Sequence, residues 1–294
     1  QDYLMRRVII DTDPAIGMPL RDIDDALAIV LALNSPELKV EGITITHGNV
    51  DQKSAFKSAE LILKKAGRED VPLMRGACSS RDTEMIKQTE ASRFIQEALN
   101  KYPGEISIVA LGPLSNLATA EMNCVGTLSK AKSVVAMGGA IDCPGVIPLL
   151  INAEFNFWKD PRAASVLLKS AFDMTLVPLD LTRKVIFGSR QMNRLKNADS
   201  DMADFIYENA KSWFYLMSAL TLRGGFMPHD PLALAYLIKP SLFSIKRETL
   251  AVNTDRGAGY GSLKRRPEGD SVNVARDVKK SEFLEFLVDR IAGK

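Results

Sequence analysis

Asp11, Asp13, Asp22, Asp24 and Asp25 all fall in one stretch, RRVIIDTDPAIGMPLRDIDDALAIVLAL, between apolar runs at residues 6 to 33. Carboxylates gathered at one crevice repel one another unless a cation neutralises them, and an all-oxygen donor set selects a hard ion such as Ca²⁺ or Mg²⁺. Asp11 and Asp13 are two apart, so in an extended segment their side chains point the same way. Asp24 and Asp25 open the next helix, where the helix dipole favours negative charge. Any one of these aspartates is equally well explained as a helix N-terminus or a polar loop residue; the set is harder to explain so. A second group lies in AEFNFWKDP, where Glu154 and Asn156 are two apart on a segment read as extended, ahead of a helix starting near Pro161. Carboxylate and amide together suit a neutral polyhydroxylated ligand, whose hydroxyls both donate and accept; a capping loop is the plainer alternative. The third is MPHDPLALAYL, with His229 and Asp230 ahead of Pro231 at the first turn of a helix. Asp230 is an N-cap or a metal ligand. His229, one of only two histidines, is the better acid candidate for standing beside it.

Positioning these groups requires a scaffold, and the apolar runs describe one. Val8–Ile10, Val40–Thr46, Val71–Met74, Ile106–Leu111, Ser133–Met137, Met174–Leu181 and Leu250–Asn253 read as buried strands. Ile23–Leu33, Gln52–Ala66, Ala91–Asn100, Ser115–Glu121 and Pro161–Lys169 carry apolar residues at helical spacing. Alternation of the two predicts an α/β fold, with a mostly parallel central sheet flanked by helices, in a single domain over residues 1–294. Such sheets bind ligands beyond the carboxyl ends of their strands. Asp11 and Asp13, His47-Gly48-Asn49, Leu111-Gly112-Pro113 and Met137-Gly138-Gly139 all fall at strand ends. Residues 189–222 read as chiefly helical and concentrate aromatics, among which Trp213 and Tyr215 are candidates to stack on a planar ligand.

The bulk composition narrows the partners. With 38 Lys plus Arg against 36 Asp plus Glu, the net charge of +2 gives no reason to expect nucleic acid or a charged membrane surface. The three cysteines, Cys78, Cys124 and Cys143, are widely spaced and form no CxxC, which fits free thiols in a reducing compartment such as the cytoplasm. The longest apolar run, Ala26 to Leu33, is too short to span a bilayer, so a soluble protein is expected.

Taken in order, these stretches resemble the nucleoside hydrolases, the inosine–uridine-preferring ribohydrolase family. Its opening DxDPGxDDAxA is similar to DTDP and DDALA here, its GIT…GN to GITITHGN at 42–49, and its fourth-strand loop to GPLSNLA at 112–118. Its MGG…AEFN…DP is matched by Met137-Gly138-Gly139, AEFN at 153–156 and Asp160-Pro161, and its HDP by His229-Asp230-Pro231. The resemblance covers about residues 8 to 236 and implies a Rossmann-like nucleoside hydrolase fold in a homo-oligomer, dimer or tetramer. It implies a Ca²⁺ ion held by Asp13, Asp25, Asp230 and the backbone oxygen of Leu111. It implies ribose contacts from Asp24, Asn49, Glu154 and Asn156. Asp13 would act as general base and His229 as acid toward the departing base, giving free base and ribose, with Asp11 as support behind them.

Three departures from the family pattern stand out. Nine residues, Ala15 to Ile23, separate DxDP from the DD pair where two are usual, which requires an insert that loops out and makes Asp22 an alternative ligand. The family's 5′-hydroxyl-binding Asn is missing or replaced by Asn152. The histidine-bearing loop that many members place after the third strand has no counterpart between Cys78 and Glu90, which leaves base preference open. Two other readings remain: a nucleoside- or ribose-binding protein that has lost catalysis, and a haloacid-dehalogenase-like phosphatase, since Asp11-Thr12-Asp13 also follows a strand as that family's acids would.

Overall fold

The computed structural model describes residues 5–146, 152–170 and 172–293. Strands β1 (Arg6–Thr12), β2 (Leu38–Ile45), β3 (Leu73–Arg75), β4 (Ile106–Ala110), β5 (Ser133–Met137) and β6 (Met174–Val177) come first; the short β7 (Phe187–Gly188) and β8 (Gly225–Phe226) pair with each other. Then follow β9 (Phe243–Val252), β10 (Leu263–Arg265) and β11 (Ser271–Val278). Among the described residues the main sheet has nine strands in the order β10-β9-β11-β6-β5-β4-β1-β2-β3. Its pairings are parallel from β11 across to β3, and β9 runs antiparallel to both of its neighbours.

The helices are α1 (Asp24–Leu33), α2 (Gln52–Lys65), α3 (Ser80–Glu84), α4 (Glu90–Lys101), α5 (Ser115–Asn123), α6 (Phe155–Lys159), α7 (Pro161–Leu168) and α8 (Leu179–Thr182). They continue with α9 (Ser189–Lys196), α10 (Asp201–Thr221), α11 (His229–Ile238) and α12 (Lys280–Ile291). Two apolar layers, one on each face of the sheet, bury the alternate side chains of β1: Val8 and Ile10 lie in one and Ile9 in the other. Burial on both faces explains why these strands read as continuous apolar runs. Among the described residues no helix is long and apolar enough to cross a membrane. Cys78 and Cys124 are exposed, Cys143 is half-buried, and all three are free.

The strands expected from sequence correspond to β1 through β6 and β9, with three instructive differences. The run Met174–Leu181 stays extended only to Val177, because Pro178 lacks the N–H that would continue the ladder and residues 179–182 turn into α8. Strand β9 starts at Phe243, earlier than Leu250, since its first half is mostly exposed and mixes charged with apolar residues, which blurs the strand signal. Glu154 and Asn156 are not on an extended segment: Glu154 caps α6, and Asn156 lies in its first turn.

The order β5-β4-β1-β2 brings the carboxyl ends of four adjacent parallel strands together. α11 packs against both α1 and β5, so the N-termini of α1 and α11 meet at the same crevice. Both helices are ten residues long, and their dipoles place partial positive charge where the acidic side chains collect.

Candidate active site

A cavity of about 400 Å³ opens there. It is lined by the carboxylates of Asp13, Asp24, Asp25 and Asp230, by Asn49, Glu154 and Asn156, by the apolar side chains of Trp213, Met217 and Met227, and by Arg183 and His229. Carboxylate oxygens of Asp24, Asp25 and Asp230 lie within 4.8 Å of one another. Asp13 is outside that triad but adjoins it. Its backbone N–H donates to Asp25 Oδ1 at 3.2 Å, and its Oδ2 accepts the N–H of Asn49. Asp25 Oδ1 also accepts from the Thr12 hydroxyl, while Asp24 accepts the N–H groups of Asp25 and Asp230, each at 3.2 Å.

These carboxyls are uncomfortable as anions. Burial, then the charge of Asp24, pushes Asp25 up to about 7. Burial chiefly, with like charge added, holds Asp13, Asp24 and Asp230 well above the ordinary carboxylate range. None of the ion pairs among the described residues involves them. Buried anions without a counter-charge are unfavourable, and two helix N-termini provide only partial compensation. The donor set therefore fits a hard divalent cation bound through oxygen.

Close backbone approach shapes the site. A Cβ on Gly112 would lie 2.6 Å from Thr46 Cγ2 and 2.8 Å from Asp13 Oδ1, and one on Gly48 would run into Asp13 Oδ2. The glycines of HGN and LGP are thus needed because the Asp13 carboxylate rests against their backbone. Gly112→Ala is expected to displace that carboxylate, lowering turnover at least ~10-fold and stability by about 1–3 kcal/mol, as read from kcat and thermal melting. Unchanged kinetics would contradict this reading of the contact.

The other residues singled out in the sequence divide clearly. Glu154 accepts three backbone N–H groups, from Asn156, Phe157 and Gly139 at 2.8–3.1 Å, yet burial still raises its carboxyl. The Asn156 amide donates to the backbone oxygens of Leu111 at 2.7 Å and Met137 at 3.2 Å, so Leu111 O faces the site with one donor already in place. His229 is half-buried, and desolvation, helped by the Arg183 guanidinium, lowers its imidazole to about 3. It is a neutral ring, suited to donating a hydrogen bond rather than to storing a proton. Asn152 is exposed and off the cavity wall. Tyr215 is 67% exposed, because two residues along α10 turn it away from the face that carries Trp213 and Met217. Asp11 is likewise off the wall. Its Oδ1 accepts from Thr44 at 2.6 Å and Asn116 at 2.7 Å, its Oδ2 has no partner among the described residues, and burial pushes it up to about 7.

The insert stays at the rim. Ile16 and Ile23 are buried at its base, while Gly17 and residues 19–21 are exposed. Arg21 donates to the Asn49 carbonyl at 3.2 Å, and the Leu20 N–H reaches Ser212 of α10 at 3.5 Å. Asp22 lines the cavity and accepts the Asp24 N–H at 3.2 Å.

Several contributors were not singled out from sequence. Thr12, Thr182 and Arg183 are common residue types at positions with no local motif. Met217 and Met227 carry no local signal either. Asn116, inside GPLSNLA, could have been found, since a polar residue amid an apolar helix start signals a buried partner.

An acidic cavity at the carboxyl ends of a parallel sheet suits a hydrolase, and comparison with known proteins shows one that acts on N-glycosyl compounds. The chain belongs to the inosine-uridine preferring nucleoside hydrolase family, whose model matches residues 8–285. It is 32% identical over 274 residues to uridine nucleosidase 1 of Arabidopsis thaliana, covering 84% of this chain and 78% of that one. It is 31% identical over 281 residues to probable uridine nucleosidase 2 of Oryza sativa subsp. japonica, with the same coverage. Among solved structures, a plant nucleoside hydrolase superposes with a TM-score of 0.87 at 29% identity, over 98% of this chain and 99% of that one. Membership of this family sets the phosphatase reading aside.

Proposed function

We propose that the chain is a calcium-dependent ribonucleoside hydrolase that cleaves the C1′–N bond to give free base and ribose. One observation carries this reading: a buried carboxylate triad that makes no ion pair among the described residues, adjoined by Asp13, in a cavity that Glu154, Asn156, Arg183 and His229 line together with the apolar side chains of Trp213, Met217 and Met227. Asp25 and Asp230 would hold the ion with Asp13 and the carbonyl of Leu111, leaving Asp24, Asn49, Glu154 and Asn156 for the ribose hydroxyls. When bound, the ion supplies positive charge that acidifies water and orients vicinal hydroxyls.

The side chains supply the remaining chemistry. As the C1′–N bond breaks, its electron pair leaves with the base and positive charge develops on the sugar ring. The carboxylates of Asp24 and Glu154 stabilise that charge, which is absent from the ground state and so lowers the barrier selectively. Asp13 accepts the proton of the attacking water, and that proton balances the one the base acquires on release. His229 donates a hydrogen bond to the base while charge builds on it. Trp213 and the methionines offer the base a flat apolar surface. A homo-oligomer belongs to the same proposal.

The test is a reducing-sugar assay over purine and pyrimidine ribonucleosides, beginning with uridine because the similar plant proteins are named for it. Ribose release that stops with chelator and returns with Ca²⁺ is expected. No release from any ribonucleoside, with calcium confirmed bound, would instead favour a binding protein that has lost catalysis.

A further inference from the structure

We infer that Thr182, at the end of α8, is a positioning residue that fixes the tautomer of His229, so that Nε2 carries the ring proton and presents it to the leaving base. The argument starts from a hydroxyl. Thr182 is fully buried, and its Oγ1 lies 2.7 Å from His229 Nδ1. Among the described residues that nitrogen is the one hydrogen-bond partner its side chain has. A buried O–H left without an acceptor costs about 1–3 kcal/mol, so the hydroxyl proton goes to Nδ1. A nitrogen that accepts a hydrogen bond carries no proton of its own, and a neutral imidazole has one ring N–H. That N–H is therefore on Nε2.

Nε2 makes no hydrogen bond within the described residues, and His229 lines the cavity. The ring thus turns its satisfied nitrogen toward α8 and its free donor toward the ligand. The rest of α8 is anchored too. Asp180 accepts the N–H groups of Ile141 and Asp142 at 2.9 and 2.6 Å, and Arg183, the residue after Thr182, grips the carbonyls of Pro144 and Gly145 at 2.6 and 2.8 Å. Thr182 acts through His229 and does not line the cavity.

The kinetic consequence rests on the hydrolase reading above; the tautomer does not. ¹⁵N-labelled protein is examined without substrate, with a His47→Gln variant to assign the second of the two histidines. A pyridine-type Nδ1 and a pyrrole-type Nε2 are expected for His229. Thr182→Val should lose that pattern and Thr182→Ser should keep it. On uridine, Thr182→Val should lower kcat about 10- to 100-fold with KM little changed. On p-nitrophenyl riboside, whose leaving group needs no help, the loss should be much smaller, and Thr182→Ser should restore turnover of uridine. A protonated Nδ1 in the wild type would overturn the proposal, as would equal losses on both probes. Wild-type protein inert toward both probes would sink the hydrolase reading, while the nitrogen shifts would still decide the tautomer.

Discussion

Replacing Asp13 with alanine is expected to cost at least ~10²-fold in kcat and to weaken calcium binding. Its carboxylate adjoins the triad, is aimed by the N–H of Asn49 and is backed by Gly48 and Gly112. A residue so tightly seated positions whatever it touches. Asp13→Asn gives the sharper comparison. It keeps the volume and an acceptor for the Asn49 N–H while removing the charge, so the fold should persist as turnover falls. Ribose release measures the first effect and isothermal titration with Ca²⁺ the second. Full activity in Asp13→Ala would rule out the proposed mechanism.

Removing the ion should leave a protein whose stability falls as pH rises. In the unfolded chain these aspartates titrate near the ordinary value of about 4. In the ion-free fold, burial lifts Asp22 to about 6 and Asp25 to about 7, and holds Asp13, Asp24 and Asp230 higher than usual. Between those limits the folded state binds more protons than the unfolded one, so stability present at low pH is lost as pH passes through the folded pKa values. Calcium bound as proposed would reverse the balance, because it would bind the ionised fold and compete with protons. Calorimetric scans in chelator should show Tm falling from pH 5 to pH 8, and added Ca²⁺ should raise Tm more at pH 8 than at pH 5. A chelated protein no less stable at pH 8 than at pH 5 would contradict the account.

The sequence made the scaffold readable wherever burial on both faces forces continuous apolar runs, as in β1, β4 and β5. It was less informative where one face is wet. β11 and the first half of β9 mix charge with apolar residues, and neither announces itself. At the site, side chains fixed by a strand end or a helix start were legible: Asp13, Asp24, Asp25, Asp230 and Asn49 all reach the cavity. Glu154 and Asn156 also reach it, though along a helix turn rather than a strand. The two-residue spacing of Asp11 and Asp13 did not bring both to the cavity: β1 ends at Thr12, and only Asp13, just past its end, lines the site. Thr182 was invisible because its partner lies 47 positions away, and no local pattern encodes such a meeting.

The separation of DxDP from the DD pair has a wider consequence. Asp13 is placed by β1 and Asp25 by the start of α1, so the connecting segment positions neither of them. Lengthening such a connection from about three residues to ten costs only about 1 kcal/mol of closure entropy. On the proposed function, the ion-binding signature would thus be a pair of anchors rather than a contiguous word, and a search that enforces its usual spacing would overlook chains built like this one. The exposed part of that gap, residues 17–21, is a natural grafting point: segments of other lengths could be exchanged there to reshape the cavity rim, with the anchors, Asp22 and the buried Ile16 and Ile23 left in place.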